Sequence, residues 1–426
     1  MRITTVASIT LATAVAIVAN ADSATPSDGL LRIPISRSES FHGTPNSRRL
    51  WYSTLRKYGL SRTKSEMESE AISTMPLGDV GSDKEATSQP FQQYYGLVKI
   101  GTPPQTVKMQ FDTGSSRFVV STTECAICTG STSFNRTQSS TFRPGVMPWK
   151  IHYGDGSFAE GIVGEDKVTL GTISVESQQL NLVLSESAGF DDDIDGVLGL
   201  SFGALSGSTT VFENMMNKDL VDKGIFSFFL GKRSINGGGE VIFGGMDMER
   251  VEPGNEITYT PVTNATHWNI DVQNFSVNGV SLSTGTTTSP LRSIVDTGTT
   301  LLVGPENWVT WYHSQIKRSR KFRKTWVVPC KGTSSLGVVV EGKTFSVPYE
   351  DLAREYIGFG LCFSAVQSSS ADYLILGDVF LKNNYVVFDQ AEKRVGFAPL
   401  KAETKRVTPT DSEDEVMASG RMQEEL

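Results

Sequence analysis

The stretch Phe111-Asp112-Thr113-Gly114-Ser115 returns 184 residues later as Val295-Asp296-Thr297-Gly298-Thr299. An apolar run that ends in glycine follows each copy: Val197-Leu198-Gly199 comes after the first, and Ile375-Leu376-Gly377 after the second. An internal repeat with matched neighbours indicates structurally equivalent units. We therefore predict two related β lobes.

Each copy places a carboxylate where a strand ends in a sharp turn, because the glycine lets the backbone pass close to a neighbour. The adjacent hydroxyls can hold the carboxylate by hydrogen bonds. If a pseudo-twofold axis relates the lobes, Asp112 and Asp296 meet and share one proton, since like charges so close do not both ionise easily. One carboxylate can then act as base on a water while the other donates to a carbonyl, which is direct hydrolysis of an amide. A single Asp-Thr-Gly usually marks a capped turn, but two matched copies are hard to explain that way.

The composition excludes several classes of protein. Hydrophobic residues make up 38% of the chain and 40 of the 426 residues are glycine, which is ordinary for a globular protein. The net charge of −8 argues against a general nucleic-acid binder, because such binding requires clustered positive charge. Four cysteines are too few for a scaffold built on disulfides.

The middle of the chain reads as mainly β structure. From residue 94 to about residue 400, short runs of β-branched and aromatic residues alternate with Gly and Pro. Short helices are predicted near 211–218, 306–316 and 348–355.

The N-terminus reads as a secretory signal peptide over residues 1–21. Arg2 precedes an apolar run at 6–18, and Ala19-Asn20-Ala21 supplies the small residues of a cleavage site. A membrane anchor is the weaker interpretation, because the run is short for a bilayer. Three glycosylation sequons, at Asn135, Asn264 and Asn274, fit a secretory route.

A basic segment follows the signal peptide. Residues 30–65 hold eight Arg and Lys side chains against the single acid Glu39, on a chain that is acidic overall. Such a segment can lie across an acidic cleft and leave when carboxylates protonate near their reference pKa values, below about pH 5. A basic arm for another surface is an equally good interpretation. Residues 66–90 read as a linker, and residues 401–426 as a disordered acidic tail.

The chain resembles the pepsin-like aspartic proteases, close to cathepsin D and the fungal secreted enzymes, over about residues 91–400. Besides both Asp-Thr-Gly copies, the resemblance rests on four groups of residues: Tyr94-Tyr-Gly-Leu-Val-Lys-Ile-Gly-Thr-Pro-Pro-Gln105, Tyr153-Gly-Asp-Gly-Ser157, Val241-Ile-Phe-Gly-Gly245 and Ile375-Leu-Gly-Asp-Val-Phe380 with Phe388-Asp389 and Val395-Gly-Phe-Ala398. It implies a mainly β, bilobal fold with lobes at 91–258 and 259–400, and the cleft between them. The preceding residues 22–90 would be a prosegment that inhibits its own enzyme.

The resemblance also implies roles for individual residues. The enzyme would be an endopeptidase that acts at acid pH, preferably between apolar residues, with Asp112 and Asp296 as the catalytic pair. It would need no cofactor or metal, act as a monomer, and reside outside the cell or in a vacuole or lysosome. The implied supporting and binding groups are Thr113, Thr297 and Ser115 around the pair, Gly114, Gly298 and Thr299 beside the substrate, and Tyr153, Gly154 and Asp155 on a flap. The implied disulfides are Cys125–Cys128 and Cys330–Cys362.

Two features of the flap allow more than one interpretation. The family commonly has a tryptophan seven residues after the first aspartate, where this chain has Val119. Trp149 could replace it, although a packed core tryptophan is the simpler interpretation. Asp155 could pair with a lysine of the substrate before the scissile bond, or serve only to form the turn.

Other chemistries remain as alternatives. Gly199-Leu200-Ser201-Phe202-Gly203 matches a nucleophile elbow, but that motif requires a parallel α/β sheet. Cys125 and Cys128 could be a redox pair or half a zinc site. A non-catalytic binding protein is a further alternative. The four histidines, His42, His152, His267 and His313, show no metal-binding spacing. A run of six bases at 317–324 is either a solvated face or an attachment site for an anionic surface.

Overall fold

The computed structural model describes residues 30–37, 47–60, 94–126, 128, 132–152, 158–186, 194–232, 238–282, 290–322 and 324–401. The predictions for the signal peptide, the linker at 66–90, the flap residues Tyr153, Gly154 and Asp155, and the tail beyond residue 401 lie outside these ranges.

The largest sheet among the described residues has 13 strands. They are β1 (Leu31–Arg37), β2 (Tyr94–Ile100), β3 (Gln105–Asp112), β4 (Phe118–Ser121), β5 (Arg143–His152), β6 (Phe158–Leu170), β7 (Ile173–Glu186), β8 (Gly196–Gly199), β9 (Ile225–Leu230), β10 (Gly239–Phe243), β11 (Thr258–Pro261), β25 (Asn384–Asp389) and β26 (Arg394–Pro399). Their order across the sheet is β11-β26-β25-β9-β10-β1-β2-β3-β8-β4-β7-β6-β5.

Three smaller sheets build the second half of the chain. Their strands are β12 (Asn269–Val272), β13 (Asn274–Val277), β14 (Val280–Ser281), β15 (Leu291–Val295), β16 (Leu302–Pro305), β17 (Arg320–Phe322), β18 (Thr325–Pro329), β19 (Leu336–Val340), β20 (Lys343–Val347), β21 (Ala353–Gly358), β22 (Leu361–Ser364), β23 (Val366–Ser369) and β24 (Leu374–Leu376). The first sheet has the order β12-β15-β24-β16-β23, the second β14-β13-β19-β20 and the third β17-β18-β22-β21.

The helices of the described residues are few and short. None is long and apolar enough to cross a membrane. They are the α-helices α1 (Ser47–Lys57), α2 (Val211–Asn217), α3 (Glu306–Ser314), α4 (Tyr349–Leu352) and α5 (Asp378–Leu381), and the 3-10 turns Arg136–Gln138, Gly203–Leu205 and Met248–Arg250. The helix predicted at 348–355 is therefore too long, because its last three residues begin strand β21.

The internal repeat appears in the strand pairing. Strand β3 pairs in parallel with β8, β8 pairs antiparallel with β4, and β4 pairs in parallel with β7. Strands β15, β24, β16 and β23 repeat this pattern of parallel, antiparallel and parallel pairs. The two-lobed β architecture predicted from the sequence is confirmed.

Segments from both ends of the chain join the large sheet. Strand β1 lies between β10 and β2, with Leu31, Ile33 and Ile35 buried. Its Arg32 guanidinium pairs with Glu240 and Asp247, both at 3.0 Å. Strands β25 and β26, expected in the second lobe, complete the same sheet beside β9. All six residues of β25 are buried, so this strand needs cover on both faces.

An aromatic cluster around Trp268 joins the two halves of the molecule. The Trp268 side chain is 0% exposed, and its ring lies 4.5 Å from Phe202 and 5.0 Å from Phe388 between ring centroids. Its indole N–H donates to the Leu200 carbonyl at 2.9 Å. The cluster therefore connects the chain just after β8 with the start of the second lobe.

We expect Trp268→Ala to lower the free energy of unfolding by about 3–5 kcal/mol, because it leaves a cavity and an unpaired carbonyl. Denaturant unfolding of the full-length chain near neutral pH measures this. The control is Phe359→Ala, since Phe359 is 90% exposed and its loss should cost less than about 0.5 kcal/mol. Equal losses in the two variants would contradict the assignment of Trp268 to the core.

Candidate active site

Two equivalent strand ends place the repeated aspartates together. Asp112 is the last residue of β3 and lies opposite Gly199 of the parallel strand β8. Asp296 directly follows β15, whose Val295 lies opposite Leu376 of the parallel strand β24. The side chains are almost fully buried, at 4% and 0% exposure.

Each carboxylate is held by its own loop in the same way. The backbone N–H of Gly114 donates to Asp112 Oδ1 at 2.8 Å, and the Ser115 hydroxyl donates to Oδ2 at 2.5 Å. In the second loop, the N–H of Gly298 donates to Asp296 Oδ1 at 2.9 Å and the Thr299 hydroxyl to Oδ2 at 2.5 Å. Such donors stabilise a carboxylate where water is largely excluded.

The threonines bind the two loops to each other. The Thr113 N–H donates to Thr297 Oγ1 at 3.1 Å, and the Thr297 N–H donates to Thr113 Oγ1 at 2.9 Å. Each hydroxyl also donates across to the other lobe, from Thr113 to the Val295 carbonyl at 2.8 Å and from Thr297 to the Phe111 carbonyl at 2.7 Å. All four groups are buried, so each loop satisfies the other's polar atoms.

The glycines permit this close approach. A Cβ atom on Gly114 would lie 2.5 Å from Asp296 Oδ1, and one on Gly298 would lie 2.2 Å from Asp112 Oδ1. The downstream glycines of the repeat are restricted in the same way, because a Cβ on Gly199 would meet the Ser116 backbone and one on Gly377 the Thr299 carbonyl. Larger side chains would push the carboxylates apart.

A lysine of the segment before residue 90 contacts both aspartates. Lys57, the last residue of α1, donates from Nζ to Asp112 Oδ1 at 2.6 Å and to both oxygens of Asp296 at 2.9 Å. The adjacent Tyr58 hydroxyl donates to Asp296 Oδ2 at 2.9 Å. The sequence showed Lys57 only as one of eight bases, and no pattern singled out Tyr58.

Burial and neighbouring charges give the two carboxyl groups different pKa values. Burial opposes ionisation of Asp296, but the Lys57 ammonium and hydrogen bonds from Asp112 and Thr299 lower its pKa to about 2. Burial raises the pKa of Asp112, and the neighbouring Asp296 adds to this against the effect of Lys57. One carboxylate and one carboxyl group that keeps its proton more readily therefore share the site. The reference pKa expected from sequence does not hold for Asp296.

Two more rings surround Tyr58. The Tyr58 ring lies 5.9 Å from His267 and 6.3 Å from Tyr373 between centroids. Burial lowers the pKa of His267; the Asp296 charge raises it, and the Lys57 cation lowers it further. His267 is therefore a titratable group beside the aspartates. The sequence gave no reason to select it, because the histidines show no metal-binding spacing.

Helix α1 connects this point to the second lobe. Leu50, Trp51 and Leu55 are buried, and the Trp51 indole N–H donates to the Ser368 carbonyl at 2.9 Å. At the start of the helix, Ser47 donates from its backbone N–H and its hydroxyl to the Glu355 carboxylate. The helix thus covers a surface that extends from Glu355 to the aspartates.

The neighbourhood of Val119 shows what Trp149 does. Val119 and Trp149 pack in one small core with Cys125, Ala159 and Val183. The Trp149 indole N–H donates to the Leu182 carbonyl at 3.1 Å. Trp149 is thus a packed core residue whose one donor is already used.

Both expected disulfides are present, Cys125–Cys128 and Cys330–Cys362. The first pairing leaves no thiolates at this C-x-x-C for zinc. Ser201 is fully buried, and its hydroxyl donates to the Thr266 carbonyl at 3.0 Å. The chain around it is antiparallel and parallel β structure followed by a 3-10 turn, which is not the strand-turn-helix of a nucleophile elbow.

The sequon asparagines differ in exposure. Asn264 is exposed, whereas Asn135 and Asn274 are half-buried. The Asn135 side chain accepts hydrogen bonds from the N–H and hydroxyl of Thr137, at 3.0 and 2.7 Å. Asn264 is therefore the sequon most open to modification.

Comparisons with known proteins agree with this geometry. The family model described as eukaryotic aspartyl protease matches residues 93–400. Rhizopuspepsin-2 of Rhizopus niveus is 36% identical over 397 residues, covering 91% of this chain and 97% of the relative. Syncephapepsin of Syncephalastrum racemosum is 35% identical, covering 87% and 93%. Embryonic pepsinogen of Gallus gallus is 33% identical, covering 87% and 96%. The chain belongs to the eukaryotic aspartyl protease family and is a pepsin-like aspartic endopeptidase.

Proposed function

We propose that Asp112 and Asp296 are the catalytic pair of this endopeptidase. One observation carries this proposal: two symmetric loops hold two buried carboxyl groups next to one another. Both carboxyl groups contact the single ammonium group of Lys57. When Lys57 leaves, a water can take its place between the carboxyl groups. The ionised carboxylate then acts as base on that water while the protonated one donates to the peptide carbonyl.

The segment at 22–90 is proposed to be the inhibitory prosegment. Lys57 and Tyr58 fill the position that water and substrate need, and α1 covers the surface beside it. Strand β1 adds main-chain pairing to β10 and β2, which anchors the segment at a distance from the aspartates. The closed form thus combines a plug at the aspartates, formed by Lys57 and Tyr58, with strand β1 in the large sheet.

Release in acid is proposed to begin away from Asp296. Although Asp296 is buried, the Lys57 ammonium holds the pKa of the Asp296 carboxyl well below its ordinary value, so this group keeps the charge that holds Lys57 in acid that protonates ordinary carboxylates. His267 has the opposite behaviour: its pKa is below the ordinary value while the prosegment covers it. A group with a lowered pKa binds its proton more weakly in the closed form, so closure is favoured above about pH 6.5 and weakens as the pH falls.

The substrate is proposed to be an extended peptide, with apolar side chains preferred beside the scissile bond. Gly114, Gly298 and Thr299 lie at the carboxylates where its main chain would pass. The aromatic surroundings of Tyr58 support an apolar or aromatic side chain near Asp296. A flap at Tyr153, Gly154 and Asp155 remains part of the proposal, as does pairing of Asp155 with a substrate lysine.

The proposed cellular setting follows the sequence. Signal peptide, disulfides and sequons support passage through the secretory route, to the cell exterior or to a vacuole or lysosome. A monomer with a prosegment at 22–90 and lobes at 91–258 and 259–400 is the proposed unit of function.

We expect Asp112→Asn and Asp296→Asn each to abolish peptide cleavage at acid pH, because neither variant can divide the roles of base and acid between two carboxyl groups. Cleavage of a peptide with an apolar scissile pair measures this, and circular dichroism checks the fold. Ser201→Ala should keep its activity. An active Asp296→Asn enzyme together with an inactive Ser201→Ala enzyme would refute the proposal.

We expect Lys57→Met to let the prosegment leave at a higher pH than in the wild type. Removing one partner of a buried ion pair costs about 3–5 kcal/mol, and this loss falls only on the closed form. Prosegment cleavage by mass spectrometry, followed across a pH series, measures the midpoint. The control is Lys223→Met, since Lys223 is exposed. A midpoint unchanged in Lys57→Met would show that the plug does not hold the prosegment.

We expect His267→Gln and His267→Lys to move the release midpoint in opposite directions. Glutamine stays neutral, so the variant lacks the destabilising protonation and should release its prosegment at a lower pH. Lysine keeps a cation beside Lys57 at every working pH and should release it at a higher pH. The same mass-spectrometric series measures both, and shifts of the same sign would exclude a role for the charge at this position.

A further inference from the structure

The basic run at 317–324 lies on a hairpin of the second lobe. Its strand β17 pairs with β18, and β17 is an edge strand of its sheet. The described bases of the run are all exposed: Lys317, Arg318, Arg320, Lys321 and Lys324. Lys321 pairs with Glu306. Between Glu306 and Glu341 the sequence contains no acid, so the hairpin carries a strong positive charge on an acidic protein.

The contacts of the prosegment helix place this hairpin beside the cleft. Arg48, in the first turn of α1, donates from Nη2 to Thr325 Oγ1 at 3.5 Å, where β17 turns into β18. Trp326 of β18 exchanges two hydrogen bonds with the Gln367 side chain, at 3.0 and 2.9 Å. The next residue, Ser368, accepts the indole N–H of Trp51. The hairpin and the helix therefore share one surface.

The helix also sets the distance to the aspartates. Helix α1 has 11 residues, from Ser47 to Lys57, and Lys57 contacts both aspartates. At 1.5 Å per residue this is about 15 Å. An extended peptide advances about 3.3 Å per residue, so it reaches the hairpin roughly four to six residues from the scissile bond.

We propose that the basic hairpin is a substrate-binding exosite, which selects peptides that carry acidic residues about four to six positions from the scissile bond. This inference rests on the proposed catalytic function and names a substrate class for the same cleft. Exposed ammonium and guanidinium groups attract carboxylates through several weak ion pairs that act together. Once α1 has left, the hairpin faces the end of the cleft without Arg48 in front of it.

Two acids near the hairpin bear on this charge. Glu306 pairs with Lys321, and Glu355 accepts hydrogen bonds from Ser47 at the start of the helix. The bases of the hairpin other than Lys321 outnumber these two acids.

A charged edge strand also opposes sheet-to-sheet association. That role explains one or two bases within β17. It does not require the further bases that precede and follow this strand, near the contact with α1.

The test compares matched peptides with enzyme produced by acid activation of the full-length zymogen. All peptides share one apolar scissile core; they carry a neutral extension, an Asp/Glu extension on the N-terminal side, or the same extension on the C-terminal side. Measurements near pH 5 keep these carboxylates mostly ionised, given reference pKa values of about 3.9 and 4.3. The wild type should cleave one of the two acidic peptides about three- to tenfold more efficiently than the neutral one, as a few exposed ion pairs allow.

A fourfold alanine variant removes the charge of the exosite at Lys317, Arg318, Arg320 and Lys324, and it leaves Lys321 with its partner Glu306. It should lose the preference through a higher KM for the acidic peptide, with kcat and the neutral peptide unchanged. The control variant removes the same charge from four exposed lysines elsewhere, Lys99, Lys218, Lys223 and Lys343, and should keep the preference. In the wild type alone, the preference should vanish at about 0.5 M salt and as the pH falls below about 4.

The outcomes separate the two proposals. Equal cleavage of acidic and neutral peptides by the wild type, or an equal preference in the exosite and control variants, would overturn the exosite while the core peptide still reports catalysis. Competition by heparin without any preference among peptides would likewise overturn it and assign the hairpin to anionic glycans. Cleavage of the neutral core by Asp112→Asn would instead overturn the proposed catalytic pair.

Discussion

The crossed hydrogen bonds between Thr113 and Thr297 are the constraint on which the rest of the site depends. Each threonine donates from its backbone and its hydroxyl to the opposite loop, in a buried interface where unpaired polar groups cost free energy. Neither lobe can satisfy these groups alone. The aspartates one residue earlier are therefore fixed relative to one another by an interaction that exists only when both lobes are present.

Because the two aspartates are held close together, ionisation of both carboxyl groups is unfavourable, and the molecule relieves this in two ways. Two buried carboxyl groups in contact do not both ionise easily, so they either share a proton or gain a cation. The closed chain supplies the cation as Lys57, and the Gly114 and Gly298 loops supply donors to both carboxyl groups. The arrangement proposed for hydrolysis is thus the same arrangement that makes a single lysine an effective plug.

The segment proposed as the prosegment also outlines the proposed cleft. Its helix runs from Glu355 through Ser368 to the aspartates, and Tyr58, directly after the helix, lies beside His267 and Tyr373. A peptide that replaces it meets aromatic rings at one end of this path and the basic hairpin at the other. The proposed substrate selection is therefore spread along a path of about 15 Å, well beyond the reacting atoms.

The sequence by itself determined the repeat, the β architecture, both aspartates and their supporting threonines and glycines. It could do so because sharp turns, close backbone approach and carboxylate binding each require particular residue types at fixed spacing. It did not reveal Lys57 among eight bases, His267 among four histidines, or the crossing of β25 and β26 into the first lobe's sheet. Contacts between residues distant in sequence depend on how the elements pack, and neither local spacing nor composition records them. Only the tertiary structure decided which base meets the aspartates and where the basic hairpin lies.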